Sequence, residues 1–111
     1  MKRYKIYHSS LFDEKIGNFD AEFARRVDKI EDQLIENPYQ GDPLNVKWFR
    51  EKRIDEKRVY FIIYEDLDAV FMVAVSGKKD QQRVINTVRL LLDSFRNEIE
   101  NLISKDDLDF S

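Results

Sequence analysis

Two apolar runs separated by an acidic turn constrain this chain more than any other feature. Residues 59–64 (VYFIIY) and 69–76 (AVFMVAVS) are rich in β-branched and aromatic side chains, and each reads as a strand. Between them, Glu65, Asp66, Leu67 and Asp68 suit a hairpin loop. Pairing through that loop returns the end of the second strand to the start of the first. Arg58 stands at the mouth of the first run, Gly77, Lys78 and Lys79 close the second, and Lys52, Arg53 and Lys57 lie on the segment that leads in. One end of the hairpin is therefore expected to be cationic. Strand parity puts Arg58, Tyr60, Ile62 and Tyr64 on one face and Val59, Phe61 and Ile63 on the other.

The flanking segments change period. Tyr4, Ile6 and His8 alternate with their neighbours, so residues 3–8 predict a first strand. Ser9 and Ser10 are candidate N-caps for a short helix carrying Leu11, Phe12 and Ile16 and ending at Gly17. Asp20 caps a longer one, in which Phe23, Val27, Ile30 and Leu34 recur at helical spacing, and Pro38 ends it. Residues 39–43 (YQGDP) form the longest loop signal in the chain. From Asp80 onward, Val84, Val88, Leu91, Phe95, Ile99 and Leu102 fall on one helical stripe. The fold class predicted is α+β, an antiparallel sheet with helices packed on one face, in the order β-α-α-β-β-β-α. The opposite sheet face is expected to be free for function. The single domain is expected over residues 1–103, with 104–111 as a mobile acidic tail. An unbroken C-terminal helix of about 24 residues would span roughly 36 Å, so its far half is expected to project and expose Phe95, Ile99, Leu102 and Ile103. Such a surface predicts either self-association into a homo-oligomer or a partner segment laid along it.

Composition excludes several chemistries. The 111 residues contain no cysteine, which removes disulfides, thiolate metal sites and cysteine nucleophiles. His8 is the only histidine, so neither a paired-histidine ribonuclease nor a histidine-based zinc site can be assembled within one chain. Beside two serines at a strand end it reads as a surface or capping residue. No apolar stretch is long enough to span a membrane, and the N-terminal MKRYKIYHSS lacks the apolar run of a signal peptide, so a cytoplasmic protein with no membrane partner is expected. The net charge of -3 argues against nucleic-acid binding over the whole surface. Locally the balance differs: residues 46–58 hold six Lys or Arg against three Asp or Glu, and residues 92–111 hold two against six.

Within the basic cluster, Glu51 and Glu56 are the carboxylates that stand apart from solvated helix faces. A neighbouring cation would keep either one ionised, which suits a salt bridge. Arg58 beside Tyr60 and Tyr64 is a pattern that holds a phosphate and stacks a base; equally, Arg58 could bridge to Glu51 or Asp55 and the aromatics could be packing.

The segment LIENPYQGDPL before the sheet, the run KRIDEKRVYFIIYED and the strand ending in SGKKDQQ together resemble the RelE/ParE superfamily of toxins over roughly residues 3–92. The resemblance implies a toxin encoded beside a cognate antitoxin. It also implies a RelE-type, ribosome-dependent and metal-independent mRNA endonuclease without cofactor, with the ribosome and mRNA as partners; the alternative is a non-enzymatic binder, either a ParE-type gyrase inhibitor or a decayed toxin. Carried over by position, Arg58, Lys79 and Lys52 are the expected catalytic groups. Arg53, Lys57, Lys78 and Tyr60 are expected to bind RNA, with Glu51 or Tyr60 transferring the proton. The chain departs from the family where many members carry a tyrosine, or a histidine and tyrosine: residues 80–85 here are DQQRVI.

Overall fold

The computed structural model describes residues 2–109, omitting the side chain of Asp109. Its centre is a five-stranded sheet in the order β1-β5-β4-β3-β2. β4 (Lys57–Tyr64) and β5 (Ala69–Ser76) form the central antiparallel pair, in a register that sets Arg58 opposite Ser76 and Tyr64 opposite Ala69. β3 (Phe49–Ile54) adds to β4 through a tight turn at Asp55, whose φ of 54° lies in the left-handed region that Asp tolerates. β2 (Asp42–Pro43) covers only Arg50 and Glu51 of β3, and its proline suits that edge position. β1 (Lys5–His8) pairs with β5 in parallel, so the sheet is mixed.

The N-terminal helices form where the capping residues direct them. In α1 (Ser10–Ile16) the Ser9 hydroxyl accepts the Phe12 N–H, and in α2 (Ala21–Glu36) the Asp20 carboxylate accepts the Phe23 N–H, each relieving one orphan donor. Asn37 ends α2 just ahead of Pro38. The loop beyond is clamped by Arg50, which is 9% exposed and donates to the carbonyls of Gly41, Tyr39 and Lys47. Gly41 has no substitute there, because a Cβ would lie 2.7 Å from the Glu51 carbonyl oxygen and 2.8 Å from the Phe61 ring. One of the six basic residues of the cluster thus turns inward and serves the fold.

Both sheet faces are covered, which corrects the expectation of helices on one face only. α1 and α2 bury Phe12, Val27 and Leu34 against Val59, Phe61, Val70 and Met72. On the other side, α3 (Gln81–Leu90) and α4 (Leu92–Asp109) bury Val88, Phe95 and Ile99 against Phe49, Tyr60, Ile62 and Phe71. The predicted parity of β4 is correct; the predicted free face is absent.

The C-terminal helix is not the projecting rod the stripe suggested. It breaks at Leu91, whose N–H is shared between the carbonyls of Thr87 and Val88, and α4 folds back over the sheet. Phe95 and Ile99 are 3% and 0% exposed instead of facing solvent, and Leu102 and Ile103 are partly buried. Each buried aromatic or branched side chain stabilises the fold by roughly 1.5–3 kcal/mol, more than one interrupted helical turn costs. The segment expected to be a mobile tail differs as well. Residues 104–109 continue α4, and the Asp106 carboxylate accepts from Tyr7 Oη at 2.9 Å and Lys5 Nζ at 3.2 Å. Phe110 and Ser111 of that tail lie outside the described residues. Among the described residues, no helix is long and apolar enough to cross a membrane.

Candidate functional site

The β3-β4-β5 register assembles a site at the end of the sheet where β4 begins and β5 ends. Arg53 lies opposite Arg58, Glu51 opposite Tyr60, and Arg58 opposite Ser76, so these residues share the α3/α4 face. Arg58 keeps one fifth of its side chain in solvent, and its Nε stands 3.5 Å from Glu51 Oε1. Of the alternatives left open by the sequence, the pairing with Glu51 is the one formed. The other carboxylate oxygen, Glu51 Oε2, is buried and has no hydrogen-bond donor among the described residues. Burial pushes the Glu51 carboxyl above its ordinary range, while the Arg58 charge pulls it partway back. A carboxylate with one unengaged oxygen, beside a guanidinium that is one fifth exposed, can accept a proton next to a bound anion.

Gly77, Lys78 and Lys79 leave β5 immediately beyond Ser76. Their turn is held by Asp80, whose Oδ1 accepts the Gly77 N–H at 2.7 Å and whose Oδ2 accepts from Arg83 at 3.2 Å. Lys78 and Lys79 remain exposed beside it. Arg83 was not singled out in the sequence; the signal that could have found it is its i,i+3 spacing from Asp80 at a helix start.

Three expected site residues are placed elsewhere. Tyr60 is on the expected face but fully buried, with its hydroxyl 2.7 Å from Ser76 Oγ, so it presents no ring for a base to stack on. Burial also raises its phenol pKa, which opposes proton transfer through the anionic form. Lys52 pairs opposite Val59 and Lys57 opposite Ile54, which puts both on the α1/α2 face, away from Arg58. The Lys57 ammonium stands 5.1 Å over the Phe19 ring. A sheet has two sides, and neighbours along a strand cannot share one.

His8, expected to be a surface or capping residue, is a bridge between elements. Its Nδ1 lies 2.7 Å from Asp13 and its Nε2 2.6 Å from Glu31, which raises its pKa to about 9, with Glu31 the larger cause. It sits on β1, separated from β3 by two strands, and takes no part in the Arg58 site.

No protein-family model and no curated protein matches the chain. Solved structures do. A double-arginine mutant of the E. coli toxin RelE in the free state superposes with a TM-score of 0.69 at 10% identity, covering 80% of this chain and 98% of that one. The same RelE mutant in complex with a peptide of the antitoxin RelB gives 0.63 at 13% identity, covering 79% and 95%. The intact E. coli RelBE toxin-antitoxin complex gives 0.61 at 10% identity, covering 67% and 95%. At that identity the likeness concerns the backbone path, and it spans nearly the whole of each neighbour. This chain has the α+β fold of the RelE toxin.

Proposed function

We propose that the protein is a RelE-type toxin of a toxin-antitoxin pair, acting in the cytoplasm as a metal-independent endonuclease on mRNA held in the ribosome. The observation that carries this reading is the Arg58–Glu51 pair: a guanidinium still open to solvent, beside a carboxylate with one unengaged oxygen, at the strand end where Lys78 and Lys79 emerge. In this reading Arg58 and Lys79, with Lys78 and Arg53 beside them, hold the scissile phosphate and stabilise the charge that builds on it. Glu51 accepts the proton of the 2′ hydroxyl as that oxygen attacks phosphorus. The bond to the 5′ oxygen breaks, a 2′,3′-cyclic phosphate forms, and the leaving oxygen takes its proton from water. Lys52, Lys57 and Tyr60 have no part in the step, since two lie across the sheet and the third is enclosed.

The absence of tyrosine or histidine from residues 80–85, together with the enclosed Tyr60, supports a second reading as a non-enzymatic binder. Purified protein with ribosomes programmed by a defined mRNA separates the two. Cuts in the decoding site with cyclic-phosphate ends support the nuclease. Intact message at stoichiometric protein, with inhibition of gyrase supercoiling or antitoxin binding alone, supports the binder.

A further inference from the structure

The lysine expected in the active site stands instead in a second cationic groove. It has a volume of about 320 Å³ and runs between α2 and the outer strand β3. Arg26, Lys29, Ile30 and Gln33 of α2 form its helical wall at i, i+3, i+4, i+7 spacing, and Lys52, Arg53 and Ile54 form its strand wall. Among the described residues, no carboxylate lines it. Arg26 is engaged by Asp55, while Lys29 and Lys52 have no ion pair among the described residues. β2 stops at Arg50 and Glu51, so among the described residues no strand pairs with the outer edge of β3 from Lys52 to Ile54. Arg53 lies there, opposite Arg58 in register yet lining the groove, at the ridge between the two faces.

We propose that this groove binds the phosphate backbone of RNA, and that a strand engaged at Arg58 passes over the bare β3 edge into it. The continuity with Arg58 rests on the RNA reading of that site; the groove's own affinity for phosphate does not. Successive strand residues are roughly 3.3 Å apart and point to opposite faces, so the ridge is narrow enough for one backbone to touch cations on both sides. A protein partner fits less well. Interfaces between proteins are anchored by apolar or aromatic side chains in a desolvated centre, and this groove has only Ile30 and Ile54, the latter 2% exposed. Phosphate contacts need charge and no such anchor, and without an aromatic ring in the lining the groove has nothing to stack bases on. Binding here is therefore indifferent to sequence.

Fluorescence anisotropy with a labelled single-stranded 12-nucleotide RNA, titrated between 20 and 200 mM salt, tests the inference on the full chain. Each single-strand phosphate contact contributes about 0.7 to the slope of log affinity against log salt, so Lys29→Gln/Lys52→Gln should lower the slope by about 1.4 and the affinity by roughly tenfold at low salt. Lys29→Glu/Lys52→Glu should weaken binding further than the glutamine pair, down to what the Arg58 site holds by itself, with an unchanged circular-dichroism melt showing that the fold is intact. Wild-type affinity and slope in both variants would overturn the proposal. So would a groove-dependent preference for a poly-glutamate peptide over the RNA, which would assign the surface to an acidic protein segment. Failure of the nuclease reading gives a different result: intact mRNA on ribosomes with groove-dependent RNA binding retained.

Discussion

Two glutamates near opposite ends of β4 experience opposite environments. Glu65, in the turn after β4, accepts hydrogen bonds from Tyr4 Oη at 2.6 Å, Tyr39 Oη at 2.7 Å and Lys2 Nζ at 3.0 Å. With Tyr39 the largest cause, these donors hold its carboxyl at about 2. Glu51, on β3 beside the start of β4, has one distant guanidinium, one bare oxygen and a carboxyl pushed upward by burial. Glu65 ties together the N-terminus, the loop after α2 and the β4–β5 turn; its charge is satisfied and has no further chemistry to offer. Glu51 makes one ion pair, to Arg58 on the neighbouring strand, and leaves its second oxygen unsatisfied. A buried acceptor left unpaired costs the fold free energy, and such sites persist where the group has a use.

The largest expected effect lies at Glu51. Glu51→Gln should lower ribosome-dependent cleavage by about 10²–10⁴-fold without lowering the melting temperature. The sign follows from the raised pKa: the protonated form is favoured in the fold, so Glu51 contributes stability below its unfolded pKa and loses it as pH rises through the folded one. The neutral amide escapes that loss. The wild-type rate should correspondingly rise with pH through a midpoint above the ordinary carboxylate range. Full activity in Glu51→Gln would erase the contrast with Glu65.

Arg58→Ala is expected to reduce cleavage by about 10²–10³-fold, the scale of losing one preorganised charge contact. It should also lower the melting temperature, because Glu51 then keeps its burial and loses its compensating cation. The double variant Arg58→Ala/Glu51→Gln should recover the melting temperature and not the rate. Recovery of both would show that the pair is only structural.

His8 extends the comparison to a saturated cation. Because both ring nitrogens face carboxylates, the pairing needs the imidazolium, and His8→Gln should cost about 2 kcal/mol at neutral pH for two charge-assisted hydrogen bonds. Its pKa is raised, so the benefit is complete below 6.5 and is lost as pH rises through about 9. Urea midpoints between pH 6 and 10 should show this limb in the wild type and not in the variant.

Glu65→Gln should have the smallest effect. Half of the Glu65 side chain is in solvent, and screening limits the loss to about 1 kcal/mol, or roughly 4–8 °C of melting temperature, with cleavage unchanged. Its pKa is lowered, so its contribution is present above 4.5 and disappears as pH falls toward about 2. A drop in cleavage here would mean that the two ends of β4 communicate.

Much of this fold was legible in single residues. Ser9 and Asp20 are caps because their side-chain oxygens can reach orphan N–H groups within three residues, and such local chemistry is written in order along the chain. The hairpin of β4 and β5 was equally plain, since its partners are joined by a short turn. Arg50 was not separable from the other cations of its cluster, because nothing in its neighbours says that Tyr39, Gly41 and Lys47 will turn their carbonyls toward it. The break at Leu91 had no glycine or proline to announce it.

Sequence by itself determined the α+β class, the parity of β4, the cationic end of the hairpin and the absence of thiol chemistry, all properties that depend on residue type and short-range spacing. Tertiary structure decided the rest. Which sheet face Lys52 occupies, whether Tyr60 is open or enclosed, and whether Phe95 and Ile99 reach solvent depend on strand register and on where α4 folds back. Those choices are made by burial between segments distant in sequence, where the free energy is a property of the contact and of neither partner alone.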